Sequence, residues 1–506
     1  MSEGEFKLIS EQIGPLSAIA LLIGTALGMS IFIVPTQMAA VAGPSISIAI
    51  VLSIVPMVLG VLLLLQLGGA IPVAGGIYVY GSRLVGPYWG FLSIVVPVLA
   101  VWAYLLFAAL GFAQYLPVIT GALPVGDVPT LPAVWLLLAA FLVLNYVGIQ
   151  FAARVQIGLV AVLITGMLVF IVGGAMAFDP GNLTPIFPTG SGEPLADSYA
   201  PFFLAIVLLY IPFQGFAMII EIGEELREPV KNIPRVLAVG MSLVALLSVG
   251  VVVALVGAAS WESAIDPATG EAVDGGIAAV GTAFLPDWAV LVIGIAALVA
   301  AATTVNTLFT SYSRTVMRAA RDEVVPSFFS AVHDRFETPY RAVVLLGIPP
   351  LLAAPFMGWF DAVIAVDVLD WLVVVTVTGI FISFMVGGVA LWNLPQEFPK
   401  RYEYSIYTLP LPVLKVVAVG NVVVSFVFML LVAASAPSAL AFVLVWIVLT
   451  SAAYVYRIRS SARRDVDLRA RMSLLHKHES IGGSGGSGSS SGDSDANTDG
   501  GTNTDA

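Results

Sequence analysis

Cysteine is absent from this 506-residue chain, and only three histidines occur, His333, His476 and His478. The first absence excludes disulfides, thiolate metal sites and cysteine nucleophiles. All three histidines stand in polar segments near other charges, which excludes a histidine metal cluster inside a membrane. Charge is scarce too. Asp, Glu, Lys and Arg make up 10% of the residues, against about 25% in a soluble domain, so most of the chain cannot sit in water. The net charge of −11 offers no basic face to nucleic acid. The opening MSEGEFKLISEQ is acidic and polar, and no signal peptide is read in it.

Apolar residues, in contrast, reach 59%, and the charges fall between long apolar runs, the pattern of many membrane spans. Runs of about 20 residues are long enough to cross. Six occur at Ile13–Ala40, Ser45–Leu67, Tyr88–Leu116, Pro132–Ile149, Arg154–Phe178 and Pro201–Ile222. Six more occur at Pro234–Ala258, Asp287–Ser311, Arg341–Met357, Phe360–Trp392, Leu411–Val432 and Pro437–Tyr456. Threading the chain through these with its N-terminus inside puts all 21 Lys and Arg on one side. Basic residues are retained in the cytoplasm, so the split predicts about twelve transmembrane helices in a plasma membrane protein with both termini cytoplasmic. The opposite loops carry acid: Asp127, Asp179, Glu193, Asp197, Glu262, Asp266, Glu271, Asp274 and Asp287. They read as a solvated acidic surface or as a funnel for cations. From Ser480 onward the Gly/Ser/Asp/Thr/Asn-rich composition predicts a disordered tail.

Helix breakers interrupt two of these spans near their middles. The first reads IGTALGMSIFIVP, with Gly24, Gly28 and Pro35; the sixth reads LLYIPFQGFAMII, with Pro212 and Gly215. In lipid an interrupted helix survives only where it lines a cavity or is buried in protein. Its freed N–H groups suit a carboxylate and its freed C=O groups a cation. The GxxxG spacing of Gly24 and Gly28 equally fits a helix-packing face, and Pro212 fits a simple kink. The breaks occupy matching places in two five-helix halves. Five is odd, so the halves run oppositely through the membrane, an arrangement that places a substrate site at the midplane.

Four stretches resemble the amino acid–polyamine–organocation family of permeases: IGTALGMSIFIVP (23–35), LGGAIPVAGGIYVYGSRLVGPYWGF (67–91), GFAMIIEIGEELREPVKNIPR (215–235) and SYSRTVMRAARDEVVPSFFSAVHDRFETPYRA (311–342). The likeness covers roughly residues 10 to 460. It implies an all-α membrane protein with a ten-helix core over 13–394, its repeats at 13–178 and 200–393. A loop and two peripheral helices (395–457) and a cytoplasmic end (458–506) follow, after a short N-terminal segment (1–12). It implies alternating access, with no enzyme chemistry, for an amino acid or related amine. Amides of Gly28, Met29, Ser30 and Ile31 would hold the carboxylate. Carbonyls near Ala26, Ile211 and Gln214 would hold the ammonium, with Gly215 allowing close approach and Phe213 and Phe216 flanking the side chain.

The chain departs from the family pattern in several places. Ser30 stands for the third first-helix glycine, Ala217 and Gln66 for glutamates, and Ile211 for an aromatic gate. A family lysine in helix five, linked to proton coupling, falls near Leu163. What could replace the lost charges is a pair in helix ten, Asp367 and Asp370. If that helix runs from Phe360, Asp370 lies roughly 13 Å below Asp361. Two carboxyls at i, i+3 at that depth are costly and fit a proton-coupling or cation-binding pair. If the helix starts later, they stand in an aqueous vestibule. Thr303 and Thr304 in helix eight could supply oxygens to sodium; a proton is the preferred coupling ion. No cofactor or metal is expected. A transporter-derived sensor, and behind it a channel, are the rival functions.

Overall fold

The 56 residues from Pro15 to Ala70 carry no Asp, Glu, Lys or Arg. A single helix of that length would be about 84 Å long, nearly three times the hydrocarbon core of about 30 Å. The computed structural model describes residues 13–73, 75–120, 128–188, 195–222, 226–364, 367–403, 405, 407–462 and 472, and it shows where this run turns. Helix α1 (Pro15–Ala26) gives way to α2 (Ser30–Ala42). Gly43, at φ 59°, then starts a tight Gly43–Ser45 turn, a backbone that residues with a Cβ rarely adopt. The chain returns as α3 (Ile46–Leu52) and α4 (Ile54–Ala70). Eleven helical runs among the described residues are long and apolar enough to cross a membrane. With the first crossing twice, they make the dozen read from the sequence.

The remaining helices are α5 (Gly76–Tyr80), α6 (Pro87–Thr120), α7 (Thr130–Val147), α8 (Ile149–Met176) and α9 (Leu195–Leu208). After a seven-residue 3-10 segment, Ile211–Ala217, come the stub α10 (Met218–Glu221) and α11 (Pro229–Ala258). The chain continues through α12 (Gly276–Gly281), α13 (Asp287–Arg321), α14 (Tyr340–Ala353), α15 (Met357–Ile364) and α16 (Val368–Glu397). It ends with α17 (Pro399–Glu403), α18 (Leu411–Ser435) and α19 (Pro437–Ala462). Among the described residues the only β-pairing is two isolated bridges. One of them, with Arg227 N–H on Ile13 O at 3.0 Å, ties the start of the described chain to the segment after α10.

Burial separates the core from the lipid-facing shell. The apolar stretch of α6 is 89% buried and that of α19 only 17%. The exposed positions of α18 and α19 are large and apolar, among them Val416, Val423, Leu430, Leu444 and Val448. An apolar outer face suits hydrocarbon, which offers no reward for polarity. Small residues let the central helices close up. Ala296, Ala297, Ala300 and Ala301 of α13 are fully buried, and α13 packs on α6 and α8 while α16 packs on α6 and α18.

Charges collect at the two ends of the bundle. At the basic end, a π-helical turn over Gly81–Val85 follows α5 and carries the buried Arg83. Its guanidinium meets Asp322 at 2.7 Å, and Tyr78 donates to the same carboxylate at 2.6 Å. At the acidic end, Gln114 donates to Asp274 at 3.2 Å. Burial, then the neighbouring Asp367 and Asp266, push the Asp274 carboxyl above its usual range. The N-terminal segment, Asp127, Glu193 and the tail from Ser480 lie outside the described residues.

Candidate functional site

The first break is built by glycine and closed by threonine. Residues 27–29 form a turn between α1 and α2. The N–H groups that open a helix have no intrahelical acceptor. One of them, on Met29, donates to Thr304 Oγ1 of α13 at 3.0 Å. Thr303 donates to the Gly24 carbonyl at 3.1 Å and to Ala300 O at 2.8 Å, and Thr304 to Ala300 O at 3.0 Å. A Cβ on Gly28 would overlap the Thr304 hydroxyl, and one on Gly24 the Gln156 amide. The helix-packing and helix-break readings of these two glycines therefore both hold. Thr303 and Thr304, which could supply oxygens to sodium, hold the break in this structure.

The second break is the 3-10 segment Ile211–Ala217, with Pro212 in its first turn. Runs of 3-10 helix beyond three or four residues are uncommon and mark hinges or strained sequence. Gly215 lets this segment touch the first helix: a Cβ there would lie 2.7 Å from the Ala26 Cα. The structure thus brings Gly215 against Ala26 across two breaks far apart in sequence, while Gly28 and Met29 face Thr304. Phe213 is fully buried, while Phe216 packs on Phe384 at 5.5 Å and over Gly60, against α16 and α4. Ile211 and Ile31 are buried as well.

Some buried polar groups at these breaks lack a protein partner. Ser30 Oγ is fully buried and makes no hydrogen bond. Beside it, outside hydrogen-bond geometry, stands the buried Tyr104 hydroxyl of α6. Both amide atoms of Gln214 are buried and unsatisfied next to Tyr210. Leaving a buried polar group unpaired costs about 1–3 kcal/mol; Ser30, Tyr104 and Gln214 are in that condition, as are described side chains elsewhere in the bundle such as Thr36, Ser248 and Ser405. None of residues 26–31 and 211–217 is ionisable.

Sequence comparison now bears on this geometry. Residues 13–457 match the family described as amino acid permease. The chain belongs to the amino acid permease family. An uncharacterised transporter of Mycobacterium tuberculosis is 30% identical over 346 residues, covering 67% of this chain and 72% of that protein. A branched-chain amino acid permease of Bacillus subtilis is 25% identical, covering 78% and 84% respectively. A methylthioribose transporter of the same bacterium is 24% identical, covering 83% and 88%. The permease is thus a multi-pass membrane transporter for amino acids or related compounds.

Behind the first break lies a polar network that the residue patterns alone did not indicate. Asn145 of α7 donates to Asn306 Oδ1 at 2.9 Å, Asn306 to Gln156 Oε1 at 2.9 Å, and Gln156 to Thr307 at 3.2 Å. Thr310 donates to Asn145 Oδ1 at 2.6 Å. All five are buried. The helix-five side chain that reaches the first break is Gln156, not Leu163, which lies buried two turns further along α8 among apolar neighbours. The available signal was three uncharged amides in three separate spans, since polar side chains inside a membrane are costly and are kept for a reason.

The structure gives helix ten the later of its two possible starts, which sets the place of Asp367 and Asp370. A continuous helix from Phe360 would sink both. Instead α15 ends at Ile364 and α16 begins at Val368. Asp367 is the exposed N-cap of α16, accepting from Leu369 N at 2.7 Å and Asp370 N at 3.1 Å. The positive end of the helix dipole and these two donors favour a carboxylate there. Asp370, in the first turn, accepts from Gln37 Nε2 of α2 at 2.7 Å. Neither is a mid-membrane pair. Asp367→Ala should therefore lower the thermal unfolding midpoint of the purified permease, by loss of a cap worth about 0.5–2 kcal/mol, and Asp367→Asn should do so far less. Unchanged stability in Asp367→Ala with a lost pH dependence of uptake would contradict the capping role.

Proposed function

We propose that this permease carries neutral amino acids across the cell membrane by alternating access, with the substrate held at the two breaks. The observation that carries this reading is the meeting of two interrupted helices at Gly215 and Ala26, with the buried polar groups of Ser30 and Gln214 on them and without an ionisable residue among 26–31 and 211–217. A zwitterion's carboxylate suits the N–H groups that open α2, and its ammonium suits carbonyls at Ala26 and Ile211. A charged substrate side chain would meet no counter-charge in either break. The branched-chain substrate of the Bacillus relative points the same way. Both termini face the cytoplasm in this reading, from the one-sided distribution of Lys and Arg.

Proteoliposomes loaded with unlabelled substrate test it. Labelled leucine, isoleucine or valine should enter, saturate and be displaced by other neutral amino acids, whereas arginine, lysine and glutamate should not compete. Methylthioribose belongs in the same panel, given the relative that carries it. Saturable binding without flux would make the protein a sensor, and competition by charged amino acids would overturn the neutral site.

A further inference from the structure

Glu221 is the last residue of α10, the stub that continues the chain beyond the second break, and it is only 6% exposed. Its carboxylate accepts from the Thr315 hydroxyl of α13 and faces the Ile77 N–H of α5. Gly75 and Gly76, at φ 104° and 41°, bend the backbone around it; at Gly76 a Cβ would lie 2.6 Å from the Glu221 carboxyl carbon. One carboxyl thus joins three elements: the half-helix after the break, the short helix before Arg83, and the basic end of α13.

The elements packed on α10 offer it no counter-charge. Helix α1 has no ionisable residue. On α5 the titratable groups are Tyr78, which donates to Asp322, and Tyr80, which lies near Glu221 and whose hydroxyl donates to Ile71 O at 3.4 Å. On α13 they are Asp287 at the opposite end, Tyr312, which lies near Glu221, Arg314, which donates to Thr310 O and Ser313, Arg318, which lies 3.9 Å from Asp322, and Arg321 at the last position. On α11, Lys231 pairs with exposed Glu228, and Arg235 is exposed. No described residue forms an ion pair with Glu221. Glu224 and Glu225 lie outside the described residues.

A buried carboxylate held by two neutral donors is stable as an ion only while those donors stay in place. If α10 moves away from α5 and α13, the carboxyl loses both donors and gains water. Its proton affinity therefore differs between the two arrangements, and that difference is what coupling requires. We propose that Glu221 is the proton-binding group of this permease, and that proton binding at Glu221 is linked to movement of α10 against α5 and α13. The step is the gain and loss of one proton at one carboxyl oxygen. It rests on the reading of the protein as a carrier, and it names a coupling ion and its residue for that carrier.

Two measurements on the full-length reconstituted protein test it. The first is an infrared pH titration of the protonated-carboxyl C=O band, which needs no substrate. One component of that band should be present in the wild type and missing in Glu221→Gln, while the signal of the other carboxyls stays. The second is the pH profile of neutral amino acid uptake. Wild-type uptake should fall about tenfold per pH unit on the alkaline side, as a one-proton dependence demands. In Glu221→Gln the profile should be flat while exchange at fixed pH persists. Should Glu221→Gln fail to fold, Thr315→Val keeps the carboxyl, removes one of its donors and should move the midpoint of both titrations. An unchanged band and profile in Glu221→Gln, or an unmoved midpoint in Thr315→Val, overturns the proposal. A protein that takes up no amino acid but shows the Glu221-dependent band refutes the neutral amino acid reading alone.

Discussion

Gly215→Val abolishes uptake: that is the expected result where the two interrupted helices meet. At this glycine any Cβ would crowd the backbone of Ala26, 2.7 Å from its Cα, and a backbone cannot swing aside as a side chain can. Valine adds two further methyls and stiffens χ1. Overpacking of this kind costs about 1–3 kcal/mol even where neighbours can yield. Here the displacement falls on the segment that positions Ala26, Gly28 and Met29. Binding should therefore be lost even in protein that still folds, and Gly28→Val, facing Thr304, should behave alike. The control is Gly158→Ala on α8, where an added Cβ meets nothing within 4 Å. A Gly215→Val protein with wild-type affinity for its substrate would remove the helix-break site from consideration.

The second large effect is on stability. The Arg83 side chain is fully buried, its ion pair with Asp322 is 2.7 Å long, and the carboxylate side of the pair is 11% exposed. Removing one partner of a buried pair costs about 3–5 kcal/mol, because the other charge is left without compensation. Asp322→Ala strands the guanidinium and also deprives the Tyr78 hydroxyl of its acceptor. A steep fall in the thermal unfolding midpoint in detergent should follow. Replacing both charges, as in Arg83→Met with Asp322→Leu, should recover most of the loss, since a well-packed apolar pair often equals an ionic one. If Asp322→Ala melts like the wild type, this pair contributes nothing to the fold.

Where the sequence was legible, it was because a single physical preference dominated. Lipid admits no unpaired backbone, so the apolar runs became helices, and Gly28, Pro212 and Gly215 marked the interruptions. Helix ten has two possible starts in the sequence, because Phe360–Ile364 is itself helical and, Asp361 aside, apolar. The Asp367 side chain, capping the amides of Leu369 and Asp370, decided the true start. An N-cap aspartate and a buried aspartate are the same letter, and only its two donors separate them. Gln156 was overlooked for the opposite reason. A lone amide in an apolar run carries no periodicity, and its partners Asn306 and Thr307 are 150 residues and more away. Glu221 likewise drew no notice, because in the sequence it is simply the first of three glutamates at the end of a span.

The seven residues Ile211–Ala217 hold a thread of different pitch from the helices on either side. A 3-10 helix rises about 2.0 Å and turns about 120° per residue, an α-helix about 1.5 Å and 100°. Re-pairing this segment as α would shorten it by roughly 3.5 Å and unwind it by roughly 140°. Helix α10, carried on its far end, would be drawn inward and rotated like the tip of a screw. On the proposal that Glu221 binds the proton, a stroke of that size would draw its carboxyl away from Thr315 and Ile77.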